Sequence, residues 1–275
     1  MVEPSPESLI IAHYERYDEA RRLESDIGPL EAARTRELIQ RFLPAAPAVV
    51  LDDGGAAGAY SLWLASLGYT VHLLDVVPRH IEQALEASRR AGSPALASVQ
   101  VGDARELPFD ACEIEGVLLA GPLYHLAERE ERLRALAEAR RVLRPGGVLL
   151  AFGITRYAGL IYGITQGLVF DPEYLRMIRD EIRTGSRQNP PTGVFTLPNA
   201  HFHLPAELAH EVEDAGFKVE AVLGVLGPAW LVPDLESAWA DPARREVLLE
   251  VARLTEGEPV LGPRVLVVGR VPGHR

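Results

Sequence analysis

Three acidic residues stand where carboxylates could bind an adenosine. Asp75 follows the apolar stretch 70–74 and comes 23 residues after Asp52, a spacing typical of an acid that accepts hydrogen bonds from ribose hydroxyls. Asp103, in Gly102-Asp103-Ala104, could accept a hydrogen bond from an adenine amino group, with the next backbone N–H meeting a ring nitrogen. A single acid of this kind is more often a helix cap. Three in succession predict an adenosine site that needs no phosphate-binding cation.

A glycine-rich turn follows the first of these acids. The residues are Asp52-Asp53-Gly54-Gly55-Ala56-Ala57-Gly58, and glycines at such a place let the backbone approach a ligand and point N–H groups at it. A dinucleotide fingerprint G-x-G-x-x-G starting at Gly54 would need glycine at positions 56 and 59, which are alanines. The turn therefore indicates a ligand site and disfavours a nicotinamide dinucleotide.

Lys218 is the only lysine of the chain, and this excludes two mechanisms. A phosphate-binding P-loop needs a lysine inside a glycine-rich turn, and a pyridoxal enzyme needs a Schiff-base lysine. Lys218 instead enters an apolar run and suits neither role. No Tyr-x-x-x-Lys pair of an oxidoreductase is present either.

Histidines and aromatic residues supply further candidates. His125 is the one titratable group with a suitable pKa that we expect near the site, as a general base or only as a packing residue. His201 and His203 alternate on an extended segment and so face the same way. They lack an evident third ligand, so we expect no metal site and favour a substrate wall. Trp230 could close the same pocket, although a core tryptophan is the commoner outcome.

The elements that must position these residues follow from hydrophobic periodicity. Short apolar runs alternate with charged helical patterns, which predicts a parallel sheet covered by helices on both faces. The predicted strands are 48–51, 70–74, 96–101, 114–120, 148–152, 219–225 and 264–271. The predicted helices are 9–20, 30–43, 60–67, 79–91, 128–143, 205–215 and 234–255.

Between residues 154 and 203 the alternation of predicted strands and helices stops. The segment contains Tyr157, Tyr162 and Phe195 among glycines and prolines, and insertions into such sheets sit at the carboxyl edge, where ligands bind. We expect a lid or substrate wall there. The predicted organisation is a single domain with a helical cap (1–45), a cofactor-binding core (46–153), the insertion (154–203) and a C-terminal part of the sheet (204–275).

Four motifs in order resemble those of class I S-adenosylmethionine-dependent methyltransferases, across roughly residues 48 to 153. They are Val49-Val50-Leu51-Asp52-Asp53-Gly54-Gly55-Ala56-Ala57-Gly58, Leu73-Leu74-Asp75, Gly102-Asp103-Ala104, and Arg141-Val142-Leu143-Arg144-Pro145-Gly146-Gly147. The resemblance implies an α/β fold with a doubly wound, seven-stranded, mostly parallel Rossmann-like sheet whose last strand, 264–271, is antiparallel. Ala56 replaces the usual middle glycine. Its methyl group is tolerable if φ stays negative, but it could weaken binding of the methionine portion.

The resemblance also implies roles for individual residues. The loop 119–126 is similar to the loop beside the transferred methyl group in bacterial small-molecule methyltransferases, which suggests Tyr124 and His125 as catalytic candidates. The stretch from Tyr14 to Arg22 is similar to the leading helix that covers the cofactor, with Tyr14, Tyr17 and Arg22 as candidates. For S-adenosylmethionine and its product S-adenosylhomocysteine, the expected contacts are Asp52, Gly54, Gly55, Ala56, Gly58, Asp75, Val76, Asp103, Ala104, Ala120, Tyr17 and Arg22. For the acceptor they are Tyr157, Tyr162, His201, His203 and Trp230.

Composition limits the remaining possibilities. Asp and Glu outnumber Lys and Arg by 39 to 28, giving a net charge of −11, which disfavours nonspecific nucleic-acid binding. Cys112 is the single cysteine, so no intramolecular disulfide forms. No apolar run approaches the ~20 residues of a membrane span, and the N-terminus is not a secretory signal. We expect a cytoplasmic monomer or homodimer without membrane partners.

The leading hypothesis is methyl transfer to a bulky, partly apolar small molecule through O, N, C or S. A nicotinamide-dependent oxidoreductase and a non-catalytic adenosine-binding module on the same fold are the alternatives. Calorimetry with S-adenosylmethionine, S-adenosylhomocysteine and NAD distinguishes the three.

Overall fold

The computed structural model describes residues 6–15, 17, 19–90, 95–187, 197 and 199–273. Its main feature is a seven-stranded sheet in the order β3-β2-β1-β4-β5-β9-β8, beside a two-stranded ribbon of β6 and β7. The strands are β1 (Val49–Asp53), β2 (Thr70–Asp75), β3 (Ser98–Val101), β4 (Ile114–Leu119), β5 (Leu143–Ile154), β6 (Ser186–Arg187), β7 (Ala200–His201), β8 (Lys218–Gly224) and β9 (Arg264–Arg270).

Strand directions confirm the predicted sheet. β1 to β5 run parallel to one another, whereas β9 is antiparallel to both β5 and β8. The predicted seven strands and the antiparallel last strand are therefore present. Strand β5 begins at Leu143 rather than at the predicted residue 148, because Leu143 already pairs with Ile114 before a register shift.

Helices surround the sheet. They are α1 (Pro6–Tyr14), α2 (Gly28–Phe42), α3 (Ala59–Ser66), α4 (Pro78–Arg89), α5 (Pro122–His125), α6 (Arg129–Val142), α7 (Ala158–Thr165), α8 (Pro172–Thr184), α9 (Pro205–Asp214), α10 (Leu235–Ala240) and α11 (Pro242–Leu254). Short 3₁₀ turns occupy Glu19–Glu24, Leu168–Phe170, Gly227–Leu231 and Pro259–Leu261. None of these described helices is long and apolar enough to cross a membrane.

Two predicted helices differ from the structure. The predicted helix 9–20 ends at Tyr14, and a 3₁₀ turn over Glu19–Glu24 replaces its end. The predicted helix 234–255 is two helices, because Asp241 caps a new start at Pro242, where proline is favoured in the first turn. Phe195 of the predicted insertion lies outside the described residues, as do residues 1–5 of the predicted cap.

Alternate side chains of the strands enter two apolar cores on opposite faces of the sheet. Val50 and Leu118 pack with α2, α3 and α11, whereas Leu51 and Leu119 pack with α6 and α9. This alternation is the two-residue period of a strand, and it explains why the central strands are apolar throughout.

A buried ion pair joins α6 to α9. Arg132 donates from Nε to Oε2 of Glu211 at 2.9 Å and from Nη2 to Oε1 at 2.7 Å. Its Nη1 donates to the carbonyls of Leu126 and Ala127 at 2.9 and 2.8 Å. Arg132 therefore holds the end of the loop that carries Tyr124 and His125.

We predict that Arg132→Leu lowers the free energy of unfolding by about 3–5 kcal/mol, because Glu211 stays buried without its guanidinium partner. Urea denaturation measures this loss. The control is Arg134→Leu, an exposed position on the same helix, which should change stability by no more than about 0.5 kcal/mol. Adding Glu211→Leu should recover part of the loss, and equal effects of the two single arginine variants would contradict the prediction.

Candidate active site

Asp75 organises the carboxyl edge of the sheet. It ends β2, and its Oδ2 accepts a hydrogen bond from the Ala56 backbone N–H at 2.9 Å. Its Oδ1 accepts from the Val77 N–H at 2.9 Å and faces His80 Nδ1 at 3.0 Å. The carboxylate thus connects the glycine-rich turn to the start of α4. This places the Asp75 side chain and the turn close enough together to contact the same ligand.

Asp52 lies beneath the turn rather than in a cavity wall. Its Oδ2 accepts a hydrogen bond from Ser61 Oγ at 2.6 Å, and a Cβ atom on Gly55 would come within 2.8 Å of its carboxyl group. Burial raises the pKa of Asp52 to about 6, against the opposing Ser61 hydrogen bond. The side chain therefore supports the turn from inside the protein, at a place away from the predicted ligand contact.

Asp53 points to the other face of β1, as alternation along a strand requires. It lines a cavity above the edge of the sheet, a place that the sequence did not predict for it. Burial, with Asp75, Asp52 and Asp103 as neighbours, raises its pKa well above the ordinary range. The available signal was two consecutive acids at the end of an apolar strand.

Asp103 is held by an arginine. Its Oδ1 accepts from the Arg105 backbone N–H at 2.8 Å, and Arg105 Nε lies 3.0 Å from both carboxylate oxygens. Burial opposes its ionisation, but the hydrogen bonds from Arg105 outweigh this and lower the pKa of Asp103. Asp103 is therefore an ionised group at the cavity edge whose oxygens already have a protein partner.

The glycine-rich turn has a backbone that glycine favours. Gly54 has φ of +77° and Gly58 has φ of +86°. Ala56 has φ of +47°, so the condition under which its methyl group was expected to be harmless, a negative φ, is not met. A left-handed alanine costs about 1–2 kcal/mol, which the Asp75 hydrogen bond to its N–H helps to offset.

A cavity of about 420 Å³ opens above this edge, within the usual range of small-molecule sites. Most residues predicted to bind the cofactor line it. They are Arg22, Gly54, Gly55, Ala56, Asp75, Val76, Asp103, Ala104 and Ala120, together with the catalytic candidates Tyr124 and His125.

The N-terminal segment covers this first cavity. Ile10 and Leu23 contribute apolar side chains to its wall. The hydroxyl of Tyr14 shares a hydrogen bond with His125 Nε2 at 2.9 Å, and Arg79 donates to the carbonyl of Glu15. The segment is therefore fixed to the loop after β4 and to α4.

Burial lowers the pKa of His125 to about 3, which differs from the near-neutral value expected from the sequence. The imidazole is therefore neutral at any ordinary pH. Its Nε2 is occupied by Tyr14, and its Nδ1 is buried without a partner. A neutral imidazole with so low a pKa is a weak proton acceptor, and its contact with Tyr14 is the stronger clue to its role.

A second cavity of about 930 Å³ adjoins the first. Tyr162 and Trp230, predicted to bind the acceptor, line it, as does Tyr17. Four residues line both cavities, and these are Tyr14, Glu19, Arg22 and Tyr124. The two spaces therefore meet beside the residues that the N-terminal segment and the loop after β4 bring together.

A charge network that sequence reasoning missed borders this junction. Arg22 Nη1 lies 2.9 Å from Glu31 Oε1, and Arg264 Nε lies 3.4 Å from Glu31 Oε2. Arg264 also sits over the Tyr124 ring, 5.4 Å from its centroid. Burial opposes ionisation of Glu31, yet the two arginines lower its pKa to about 2. Glu31 and Arg264 lie in predicted regular elements, and no local signal marked them.

Five predicted site residues lie outside the walls of both cavities: Asp52, Gly58, Tyr157, His201 and His203. His201 and His203 do face the same way, with ring centroids 4.4 Å apart. His203 is fully buried, and its Nε2 lies 3.4 Å from Glu211. Burial lowers the pKa of His201 to about 3. Among the described residues, no group of three or more His, Cys, Asp or Glu side chains could hold a metal ion.

Comparisons with known proteins agree with this geometry. Residues 51–151 match the family model described as a methyltransferase domain. An uncharacterised methyltransferase of Mycobacterium tuberculosis is 32% identical over 49% of this chain and 52% of its own length. A probable tRNA methyltransferase of Mus musculus is 29% identical over 43% of this chain and 24% of its own length.

A crystal structure of an S-adenosylmethionine-dependent methyltransferase from Methanosarcina mazei superimposes with a TM-score of 0.60 at 21% identity, covering 86% of this chain and 98% of the other. This likeness shows the fold. The chain spans about half the length of the mycobacterial relatives that it matches.

We predict that Ala56→Gly raises the free energy of unfolding by about 0.5–1 kcal/mol. Relief of the left-handed strain, about 1–2 kcal/mol, exceeds the entropy cost of a new glycine, about 0.4–1 kcal/mol. Urea denaturation measures the change. The matched control is the neighbouring Ala57→Gly, where φ is not positive and only the entropy cost applies. A loss of stability in both variants would contradict the strain at Ala56.

We also predict a pH-dependent effect of Asp52→Asn. Because the folded pKa of about 6 exceeds the ordinary value of 3.8, the protonated carboxyl group stabilises the protein below about pH 4, and this contribution is lost as the pH rises through about 6. Relative to the variant, the natural protein should lose about 3 kcal/mol between these pH values.

The check is the urea midpoint of both proteins at about pH 4.5 and about pH 7.5. Ser61→Ala removes a hydrogen bond that favours the charged form and should widen the difference. Parallel pH profiles of the natural protein and Asp52→Asn would show that the pKa of Asp52 is not raised.

Proposed function

We propose that the protein transfers a methyl group from S-adenosylmethionine to a small-molecule acceptor, because residues 51–151 match the model of a methyltransferase domain. The observation that carries the proposal is the junction of two cavities at Tyr14 and Tyr124. One cavity contains the acids and the glycine-rich turn of the family, and the other is a separate, larger space.

The first cavity suits the cofactor. Asp75 faces the place of the ribose hydroxyls, and Asp103 with Ala104 borders the place of the adenine. Gly54 and Gly55 leave room for the methionine end, which the N-terminal segment covers. The bound cofactor supplies an activated methyl group, so the protein has to align the acceptor behind it and exclude water.

The second cavity suits the acceptor. Its wall is rich in aromatic side chains, including Tyr162, Tyr174, Phe202 and Trp230, and the ion pairs of Arg22 and Arg264 with Glu31 border it. A bulky molecule with apolar surface fits such a wall. A tRNA acceptor, suggested by one relative's name, is disfavoured by the net charge of −11.

At the junction we assign positioning of the acceptor to Tyr14, Tyr124 and His125. His125 is neutral because burial lowers its pKa to about 3, and it holds the Tyr14 hydroxyl at 2.9 Å. Tyr124 donates to the Ala120 carbonyl at 3.2 Å and presents its ring to both cavities. His125 then acts through Tyr14, and the tyrosine hydroxyl meets the acceptor.

Calorimetry with S-adenosylmethionine, S-adenosylhomocysteine and NAD tests the proposal first. Binding of the first two without NAD supports it, and binding of NAD alone would favour an oxidoreductase. A second assay offers isotopically labelled S-adenosylmethionine with small phenols, amines, thiols and tRNA. Transfer of label to a small molecule supports the acceptor class, whereas transfer only to tRNA would replace it.

We predict that Asp75→Asn weakens S-adenosylhomocysteine binding roughly 10- to 100-fold, since a charged hydrogen bond contributes about 1.5–3 kcal/mol. The dissociation constant from calorimetry measures this, with cooperative unfolding as the check of folding. The control is Asp110→Asn on an exposed loop. An unchanged dissociation constant in a folded Asp75→Asn variant would remove Asp75 from the site.

Once an acceptor is known, we predict that Tyr14→Phe and His125→Gln each lower kcat, by up to about 10²-fold for a misplaced group. The double variant should lose no more than either single variant, because the two residues act through one hydrogen bond.

The pH profile separates positioning from general-base catalysis. A pKa of about 3 for His125 predicts that kcat of the natural protein shows no histidine limb near pH 6.5. A limb that disappears in His125→Gln would instead make His125 the base. The control is His210→Gln, an exposed histidine.

A further inference from the structure

Asp53 is a buried carboxyl group with one oxygen that accepts no hydrogen bond in the part of the chain that the structure describes. It ends β1, is 1% exposed and lines the first cavity. Its Oδ2 has no hydrogen-bond partner among the described residues. Burying a polar group without a partner is costly, and a ligand that fills the cavity and pairs with the carboxyl group would offset this cost.

Each neighbouring carboxyl group accepts at least one hydrogen bond, although Asp52 Oδ1 is, like Asp53 Oδ2, buried without a partner among the described residues. Asp75 accepts hydrogen bonds from two backbone N–H groups, Asp103 is bound by Arg105, and Asp52 accepts from Ser61. The charged groups that act on Asp53 are these same three acids. In the part of the chain that the structure describes, no arginine, lysine or histidine forms an ion pair with it.

The chemistry of methyl transfer supplies a cation to such a place. S-adenosylmethionine carries a positively charged sulfonium. When the methyl group leaves, the carbon–sulfur bond breaks and both electrons remain on sulfur, so the product S-adenosylhomocysteine has a neutral thioether. A carboxylate in a water-poor cavity attracts the first ligand and gains nothing from the thioether of the second.

Resting on the function proposed above, we propose that Asp53 makes the cofactor cavity charge-selective, favouring the sulfonium cofactor over the neutral thioether product. The residue acts on the difference between the two ligands, whereas Asp75 and Asp103 face the adenosine that both share. Burial and the three acids raise the pKa of Asp53, and a bound cation opposes that rise. Loss of the charge after transfer then favours product release.

Two non-reacting ligands test this selectivity. Sinefungin carries a protonated amine in place of the methylated sulfonium, and S-adenosylhomocysteine carries the neutral thioether at the same place. Calorimetry at about pH 7.5 gives both dissociation constants for the natural protein, for Asp53→Asn and for the control Asp214→Asn. Asp214 is an exposed acid just before β8, paired with Arg129, at the opposite edge of the sheet.

We expect Asp53→Asn to weaken the binding of sinefungin about tenfold, as the loss of one buried charge interaction implies. S-adenosylhomocysteine should change by less than about twofold, and Asp214→Asn should change neither ligand. Asp53→Leu, which removes the buried carboxyl group altogether, should give the same change in the ratio of the two constants. Either variant serves if it unfolds cooperatively.

Three other outcomes would overturn the inference. If Asp53→Asn weakens the binding of both ligands equally, Asp53 contacts a part that the two ligands share. If neither dissociation constant changes, Asp53 does not interact with the ligand. If neither ligand binds the natural protein, the proposed function itself fails. This result is distinct from the first two outcomes, because both of those require that the natural protein binds the ligands.

Discussion

The hydrogen bonds of the Asp75 carboxylate are the interaction on which the cofactor cavity depends. They join the N–H of Ala56 to the start of α4, and so they hold the glycine-rich turn against the end of β2. The left-handed backbone of Ala56 persists because its N–H has this partner. Parallel strands end at a common edge, so fixing this one turn also sets the distance from Asp53 and Asp103 to any ligand.

A second constraint brings distant parts of the chain to the junction of the two cavities. Glu31 in α2 binds Arg22 from the N-terminal segment and Arg264 at the start of β9. Because Glu31 is buried, its charge is compensated only if both arginines stay in place. The network therefore couples the cover of the first cavity to the sheet, and it sets Arg264 against the Tyr124 ring.

The histidines show how burial changes the pKa of a side chain and therefore the chemistry available to it. His125 was expected from the sequence to have a near-neutral pKa, and burial lowers the pKa of both His125 and His201 to about 3. His203 contacts Glu211, which Arg132 also binds, so its visible role is to join the insertion to α9. Burial also raises the pKa of Tyr14 well above its ordinary value, so the hydrogen-bonded pair of Tyr14 and His125 is better suited to positioning than to proton transfer.

The sequence by itself determined the alternation of strands and helices, because apolar periodicity is a local signal. The antiparallel last strand followed from the resemblance to a known family, and the site at the carboxyl edge remains a prediction from the order of acids after strands. The sequence also predicted Asp75, Asp103 and the glycine-rich turn as neighbours, and the structure places them in the wall of one cavity. Only the tertiary structure decided that Asp52 lies beneath the turn while Asp53 lines the cavity, and that Ala56 has a positive φ. It alone brought Glu31 to Arg264 and Tyr14 to His125. These outcomes depend on which side of a strand is covered and on contacts between segments far apart in the chain, and neither is encoded in local spacing.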